Sequence, residues 1–235
     1  MQGSVAVAGE LGALSLSSEI LVTLSNLRLA PTPSRVGRGD LFALEGSRGG
    51  GIHVLSQGRM KILRFSDEGR VILLELVESG GLFGELGCVS TPSSDRGSSY
   101  AEALEDAIVY SIPFRMFERA LAQRPTLAVG IANLLAQRCD ELERRLEAHV
   151  FHKVPMRLVN QLLELAQRYG VEHDRGTLIS LPLSQQDLGN LIGASREIVS
   201  LTLSELKRRG LVSSKGRRLI VREDELRAEI AAARG

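Results

Sequence analysis

Two short amphipathic patterns meet at a glycine within residues 183–209, and this stretch constrains the fold more than any other part of the chain. The apolar positions of the two patterns are Leu188, Leu191 and Ile192, then Ile198, Val199, Leu203 and Leu206. Ser184 and Asp187 have the spacing of a capping box, which starts the first helix. Gly193 permits a tight turn, and Ser195 can cap the second helix. The stretch therefore predicts a helix-turn-helix.

The first turns of the second predicted helix carry polar residues outside its apolar stripe. These residues are Arg196, Glu197 and Ser200. A recognition helix presents side chains from these turns to base edges in the major groove of DNA. The pattern therefore favours a DNA-reading helix over a helix that only packs against its neighbours.

A predicted hairpin with a basic tip follows the second helix. Residues 211–221, LVSSKGRRLIV, contain two apolar runs around Ser214, Lys215 and Gly216, which is typical of a wing. From Arg196 to Arg218 the chain has seven basic residues and two acidic ones, an excess that attracts phosphates of any DNA sequence. The alternative is a three-helix packing domain with a solvated basic face. The joint presence of caps, turn, reader positions and wing favours the winged helix-turn-helix.

The pattern changes to short strands earlier in the chain. Residues 1–18 are rich in Gly, Ala and Ser and predict a flexible lead-in, whereas residues 19–112 contain short β-branched and leucine runs separated by turn signals. Many short strands at near-regular spacing indicate an antiparallel sandwich or barrel. With the helices that follow, the fold class is α+β.

A long helix is predicted between these two regions. Its apolar stripe consists of Ile131, Leu135, Cys139, Leu142, Leu146 and Val150. A helix of roughly 25 residues is near 38 Å long, which is more than is needed to cover one small β domain. A parallel homodimer is therefore the better explanation of the stripe. Pro155 marks a break. The predicted domains are thus a lead-in (1–18), an antiparallel β domain (19–123), a dimerisation helix (124–153) and a DNA-binding domain (154–235).

Two segments resemble the bacterial regulators named after the cyclic AMP receptor protein and FNR, the CRP/FNR family. These segments are GASREIVSLTLSELKRRGLV and GLFGELGCV. The resemblance implies an N-terminal β-roll that holds an effector, a homodimer, double-stranded DNA as partner, and activation through RNA polymerase. It also implies base contacts by Arg196, Glu197 and Leu201. The full set of predicted DNA-binding residues is Ser195, Arg196, Glu197, Ser200, Leu201, Lys207, Lys215 and Arg217.

The segment GLFGELGCV resembles the start of the family's phosphate-binding cassette. The implied ligand-binding residues are Gly84, Glu85, Leu86, Arg96, Ser98 and Ser99. Two departures stand out: the cassette arginine is displaced by one residue, to Arg96, and Leu142 and Glu143 occupy the positions at which cyclic nucleotide receptors place hydroxyl residues. We therefore predict DNA binding without cyclic AMP and no cofactor. A cyclic-AMP-dependent regulator is the alternative.

Other classes of protein find less support in the sequence. A nucleotide sensor with an output other than DNA rests on the cassette alone, and an enzyme lacks any visible catalytic constellation. Cys88 and Cys139 form no metal or disulfide pattern, and His149 with His152 has no accompanying ligands, so no metal site is predicted. The chain shows no signal peptide or membrane span, which predicts a cytoplasmic location.

Overall fold

The computed structural model describes residues 5–44, 51–84 and 99–232. The chain forms two compact units, Met1–Asp140 and Glu141–Gly235. The division lies inside the long helix rather than at Pro155, so the last turns of that helix belong to the C-terminal unit. None of the described helices is both long enough and apolar enough to cross a membrane.

The N-terminal unit is built from two four-stranded antiparallel sheets. Its elements are α1 (Val5–Asn26), β1 (Pro33–Val36), β2 (Leu41–Ala43), β3 (Gly51–Gln57), β4 (Arg59–Phe65), β5 (Val71–Glu78), β6 (Leu82–Gly84), β7 (Ser99–Ala103), β8 (Ala107–Pro113), α2 (Phe114–Gln123) and the first part of α3 (Thr126–Phe151). The strand orders are β1-β8-β3-β6 and β2-β7-β4-β5. Leu55, Met60 and Phe83 are buried in the core that both sheets share. The predicted α+β class and the antiparallel sheets are confirmed.

The predictions of a flexible lead-in and of short strands from residue 19 onwards were wrong for residues 5–26. These residues form helix α1. Leu16, Ile20 and Leu24 recur at helical spacing and are buried in a cluster with Phe117 and other residues of α2 and α3. Burial of that face outweighs the preference of the β-branched residues in this run for a strand, because a weak local propensity yields to tertiary packing.

The C-terminal unit surrounds one amphipathic helix. Its further elements are α4 (Val154–Tyr169), β9 (Gly170–His173), β10 (Gly176–Ile179), α5 (Gln185–Ile192), α6 (Arg196–Arg208), β11 (Val212–Lys215), β12 (Arg218–Val221) and α7 (Glu223–Ala232). Leu158, Leu162 and Leu165 of α4 are buried. The sheet order is β11-β12-β10-β9, so β10 and β9 extend the two-stranded wing.

Candidate nucleic-acid interface

Reciprocal hydrogen bonds fix the start of α5. The Asp187 backbone N–H donates to the Ser184 hydroxyl at 3.0 Å, and the Ser184 backbone N–H donates to Asp187 Oδ2 at 2.9 Å. The helix ends at Gly193, whose φ of 62° and ψ of 48° lie in the left-handed region that favours glycine. The predicted capping box and turn of the helix-turn-helix are both confirmed.

Helix α6 begins at a serine cap. The Ile198 backbone N–H donates to the Ser195 hydroxyl at 3.4 Å, and Val199, Leu203 and Leu206 are buried, as predicted. Ile198 was assigned to the buried stripe, but its side chain is 43% exposed. The four residues of the apolar set span more than one face of the helix, and only the three at spacings of four and three share the face that α5 and α4 cover.

The side chains predicted to read bases lie at the exposed start of α6. Arg196 and Glu197 are exposed, Ser200 is half-buried, and Leu201 is 72% exposed. The backbone N–H of Glu197, the Ser195 hydroxyl and then Arg196 lower the pKa of the Glu197 carboxyl. Glu197 is therefore a carboxylate at neutral pH and can accept hydrogen bonds but not donate them.

The wing tip is a tight hairpin between β11 and β12. Lys215 pairs with Arg218 across the hairpin, and Gly216 has a φ of 61°. The side chains of Lys215 and Arg217 are exposed. This geometry presents two cations at the end of the wing, which suits contact with the phosphate backbone.

Two of the seven basic residues in this region form ion pairs with other residues of the protein. Arg208 donates to Glu205 at 2.7 Å and Arg209 donates to Glu229 of α7 at 2.9 Å. Within the part of the chain that the structure describes, the remaining five form no ion pair: Arg196, Lys207, Lys215, Arg217 and Arg218. Of these five cations, Arg196 lies at the start of α6, Lys207 lies in its last turn, and the other three lie on the wing.

Helix α3 has one face against the sheets and another face exposed. Ile131 is buried in the core of the N-terminal unit with Leu135 half-buried against it, and Arg138 donates to the Leu82 carbonyl at 2.5 Å and to Glu75 at 2.6 Å. Ile131 was therefore wrongly placed on the dimer stripe, and Leu135 likewise packs against this core and not on the exposed face. The exposed apolar stripe consists of Val129, Ala132, Ala136, Cys139, Leu142, Leu146 and Val150.

The predicted ligand cassette is described only at its two ends. Glu85, Leu86, Arg96 and Ser98 lie outside the described residues. A Cβ at Gly84 would lie 2.7 Å from the Gly51 carbonyl oxygen and 2.8 Å from His53 Cδ2, so glycine is required there. The buried Ser99 hydroxyl accepts a hydrogen bond from Arg64 Nε at 3.2 Å, which occupies part of its bonding capacity within the roll.

His53 is a residue that the sequence did not single out. Its ring packs against Phe42, with centroids 5.0 Å apart, and against Phe83, with centroids 5.1 Å apart. Its Nδ1 lies 3.0 Å from the Ser111 hydroxyl. Burial lowers the pKa of His53 to about 4, so the ring is neutral at neutral pH. A lone histidine in an alternating strand carries no signal that distinguishes it from any other inward-facing residue.

The buried neutral ring predicts acid sensitivity of the N-terminal unit. Between pH 6.5 and about 4 the unfolded chain takes up a proton that folded His53 excludes, so stability falls as pH falls through this window. The expected loss is about 3 kcal/mol at the bottom of the window. Urea unfolding followed by circular dichroism should show a shallower dependence on pH in His53→Gln. The control His173→Gln should keep the slope of the wild type, and an unchanged slope in His53→Gln would contradict this assignment.

Two domain models match the chain, one within each unit. Residues 156–229 match the model of the Crp-like helix-turn-helix domain, and residues 33–124 match the model of the cyclic nucleotide-binding domain. A CRP-like cAMP-activated global transcriptional regulator of Mycobacterium tuberculosis is 29% identical over 188 residues, 80% of this chain and 83% of the relative. A global nitrogen regulator of Synechococcus elongatus is 28% identical over 184 residues, 78% of this chain and 82% of the relative.

A solved structure shares the fold at lower identity. The c-di-GMP-responsive global regulator of Xanthomonas campestris superposes with a TM-score of 0.73 and 22% identity, covering 86% of this chain and 98% of that one. At this identity the likeness concerns the fold.

Proposed function

Because the chain belongs to the CRP/FNR family of bacterial transcription regulators, we propose that it binds a near-palindromic DNA site as a homodimer, without needing cyclic AMP, and activates transcription. One observation carries the proposal: Arg196 and Glu197 are exposed on the first turn of a capped helix whose opposite face is buried. The members of this family are regulators that bind DNA, not enzymes.

The recognition chemistry follows from the side chains at the start of α6. The guanidinium of Arg196 can donate two hydrogen bonds to O6 and N7 of guanine, and the Glu197 carboxylate can accept one from the amine of cytosine. Leu201 has no donor but can contact a thymine methyl group. Each half-site should therefore contain a G·C contact region, with a shift towards A·T where Leu201 lies.

A mobility-shift assay tests DNA binding as such. Purified protein is mixed with fragments of the source genome at fixed salt, in the presence of excess random competitor DNA. A few fragments should be retained at protein concentrations that leave the rest free, because specific sites exceed random DNA in affinity by about 10³-fold or more. Uniform retention, removed by the competitor, would favour the alternative in which the N-terminal unit senses a nucleotide and the output is not specific DNA binding.

The exposed stripe of α3 supports the homodimer. Leu142, Leu146 and Val150 are 54%, 65% and 66% exposed, which is costly for large apolar side chains aligned on one helix face. A second copy of the same helix in parallel orientation would cover the stripe, with the alanines and Cys139 allowing close approach in the first half. We assign the two-fold symmetry of the DNA site to this pairing.

Overall sequence identity to the relatives does not indicate which effector the protein binds. Relatives of nearly equal identity include a cAMP-activated regulator, at 29%, and a global nitrogen regulator, at 28%. The residues are more informative: Leu142 and Glu143 offer no hydroxyl to an adenine, and the Ser99 hydroxyl already bonds Arg64. The match to a cyclic nucleotide-binding domain supports the alternative, a regulator that depends on cyclic AMP.

Calorimetry with cyclic AMP separates these two proposals. We expect no heat of binding at micromolar nucleotide and the same affinity for DNA with and without it at fixed salt. The reason is the missing hydroxyl pair, since buried polar groups of a ligand that lose their partners reduce affinity by about 1–3 kcal/mol each. Tight binding together with a large gain in DNA affinity would establish the cyclic-AMP-dependent regulator instead.

Activation needs a partner besides DNA. By family resemblance we assign that role to RNA polymerase, recruited at promoters where the bound dimer lies beside it. In vitro transcription from a promoter that carries the selected site should increase when the protein is added. A decrease would make the protein a repressor at that promoter.

A further inference from the structure

The end of α3 touches the helix-turn-helix at its turn, through a histidine and a glycine of the C-terminal unit. Nδ1 of His149 lies 2.9 Å from the Arg145 carbonyl oxygen. A carbonyl oxygen can only accept, so Nδ1 carries the hydrogen, and this bond fixes the orientation of the imidazole. The other side of the ring, with Nε2, faces Gly193.

The fit between this ring and Gly193 leaves no room for a side chain unless the ring moves. A Cβ at position 193 would lie 2.5 Å from His149 Nε2 and within 3.5 Å of two further ring atoms. Glycine is thus favoured twice, once by the left-handed backbone at a φ of 62° and once because any Cβ would force the imidazole to move. The sequence showed the first requirement only.

Further contacts hold the same turn from α4. Arg157 Nη2 donates to the Gly193 carbonyl at 3.3 Å, and its Nη1 donates to the His152 carbonyl at 3.5 Å. Asn160 Nδ2 lies 3.4 Å from His152 Nδ1. Glu141 at the start of this part of α3 pairs with Arg168 of α4 at 3.7 Å. The last turns of α3, α4 and the turn before α6 therefore form one connected group.

We propose that His149 is a positioning residue that sets the placement of the recognition helix relative to the dimer helix. The inference rests on the proposed function. Gly193 lies two residues before the Ser195 cap, so a fixed turn fixes the start of α6. In a dimer joined along α3, the separation and rotation of the two recognition helices then follow from the contact between His149 and Gly193. This contact determines how strictly the protein selects the spacing between half-sites.

A double-mutant cycle tests the contact without DNA. Gly193→Asn keeps a residue that adopts left-handed backbone more readily than others, so its effect isolates the clash with the ring. We expect a drop of several degrees in the Tm of the C-terminal unit in the wild-type background and a clearly smaller drop in His149→Ala, because residues in contact are not additive. Equal drops in the two backgrounds would overturn the inference.

A spacing experiment tests the functional part. Wild type, His149→Ala and the control His173→Ala are titrated against a selected site and against versions with one base pair added or removed between half-sites. Wild type and control should prefer the selected spacing. His149→Ala should lose about tenfold of affinity at that spacing and discriminate less among the three, while remaining a dimer.

The two experiments separate failure of this inference from failure of the proposed function. Unchanged spacing preference in a folded, dimeric His149→Ala would overturn the positioning role, even if the cycle shows coupling. If the wild-type protein selects no two-fold site at all, the proposed function fails, and the positioning role fails with it. The double-mutant cycle still decides whether the contact between His149 and Gly193 exists. If His173→Ala keeps the wild-type spacing preference, the effect of His149→Ala is specific to position 149 and is not a general result of losing a histidine.

Discussion

Replacing both Leu142 and Leu146 with glutamate will make the protein monomeric and lower its affinity for the specific DNA site by about a thousandfold. Both side chains are more than half exposed on the same face of α3. In a parallel dimer each glutamate would lie against its own copy, so like charges would be desolvated together without partners. Because neither side chain is part of a buried core, each monomer should stay folded.

The loss of DNA affinity follows from the loss of two-point attachment. A dimer that has bound one half-site holds its second recognition helix at a high effective concentration near the other, and a monomer does not. Sedimentation and DNA titration measure the two effects. A matched control is Leu41→Glu with Ile72→Glu, which places the same charges on exposed apolar positions of the sheets. A double glutamate variant that still sediments as a dimer would show that the stripe is not the interface.

Cys139 gives a direct check on the orientation of the two helices. Its side chain is exposed on the stripe. In a parallel pairing the two thiols lie at the same level, so mild oxidation should link the protomers, in protein whose other cysteine has been changed by Cys88→Ser. An antiparallel pairing would place the thiols apart unless the crossing point were at Cys139 itself. Absence of any cross-link in a confirmed dimer would contradict the parallel arrangement.

Arg196→Ala should cost about 1–3 kcal/mol on the specific site, roughly 5- to 150-fold in affinity, and much less on random DNA. The reason is that Arg196 is exposed, has no ion pair within the described residues, and lies on the first turn of α6, from which a recognition helix contacts base edges. The Arg196→Ala protein should also discriminate less between guanine and the other bases at the position that Arg196 contacts. Titration against the selected site and against a site changed at that base measures both effects.

Lys215→Ala is the matched comparison, because it removes one cation from the wing tip instead of from the helix. A phosphate contact carries no sequence information, so this variant should weaken specific and random binding alike and reduce the salt slope by about one. If Arg196→Ala behaved like Lys215→Ala, Arg196 would be a phosphate contact and α6 would have another reader.

The helix-turn-helix was predictable because its determinants are local. The bonds between Ser184 and Asp187, the left-handed Gly193 and the Ser195 cap depend on residues within a few positions of one another. The same locality explains the wing, where the Gly216 turn joins two short apolar runs. The confirmed part of the prediction is the part in which spacing alone determines geometry.

The errors occurred where distant residues decide the structure. Helix α1 forms because α2 and α3 cover Leu16, Ile20 and Leu24, which the run of β-branched residues does not reveal. Ile131 and Ile198 belong to apolar patterns, but periodicity cannot say which neighbour covers which face. His53 and His149 gain their roles from Ser111 and Gly193, residues more than forty positions away in the sequence.

Selection of bound sequences from a random DNA pool tests the central claim most directly, since it needs no assumption about effector or promoter. We expect a near palindrome whose half-sites are centred about one helical turn, or 10 to 10.5 base pairs, apart, each with a G·C contact region. The Arg196→Ala protein should select the same dyad with a weaker preference at the guanine. A pool without a dyad, or an unchanged base preference in the variant, would contradict the account.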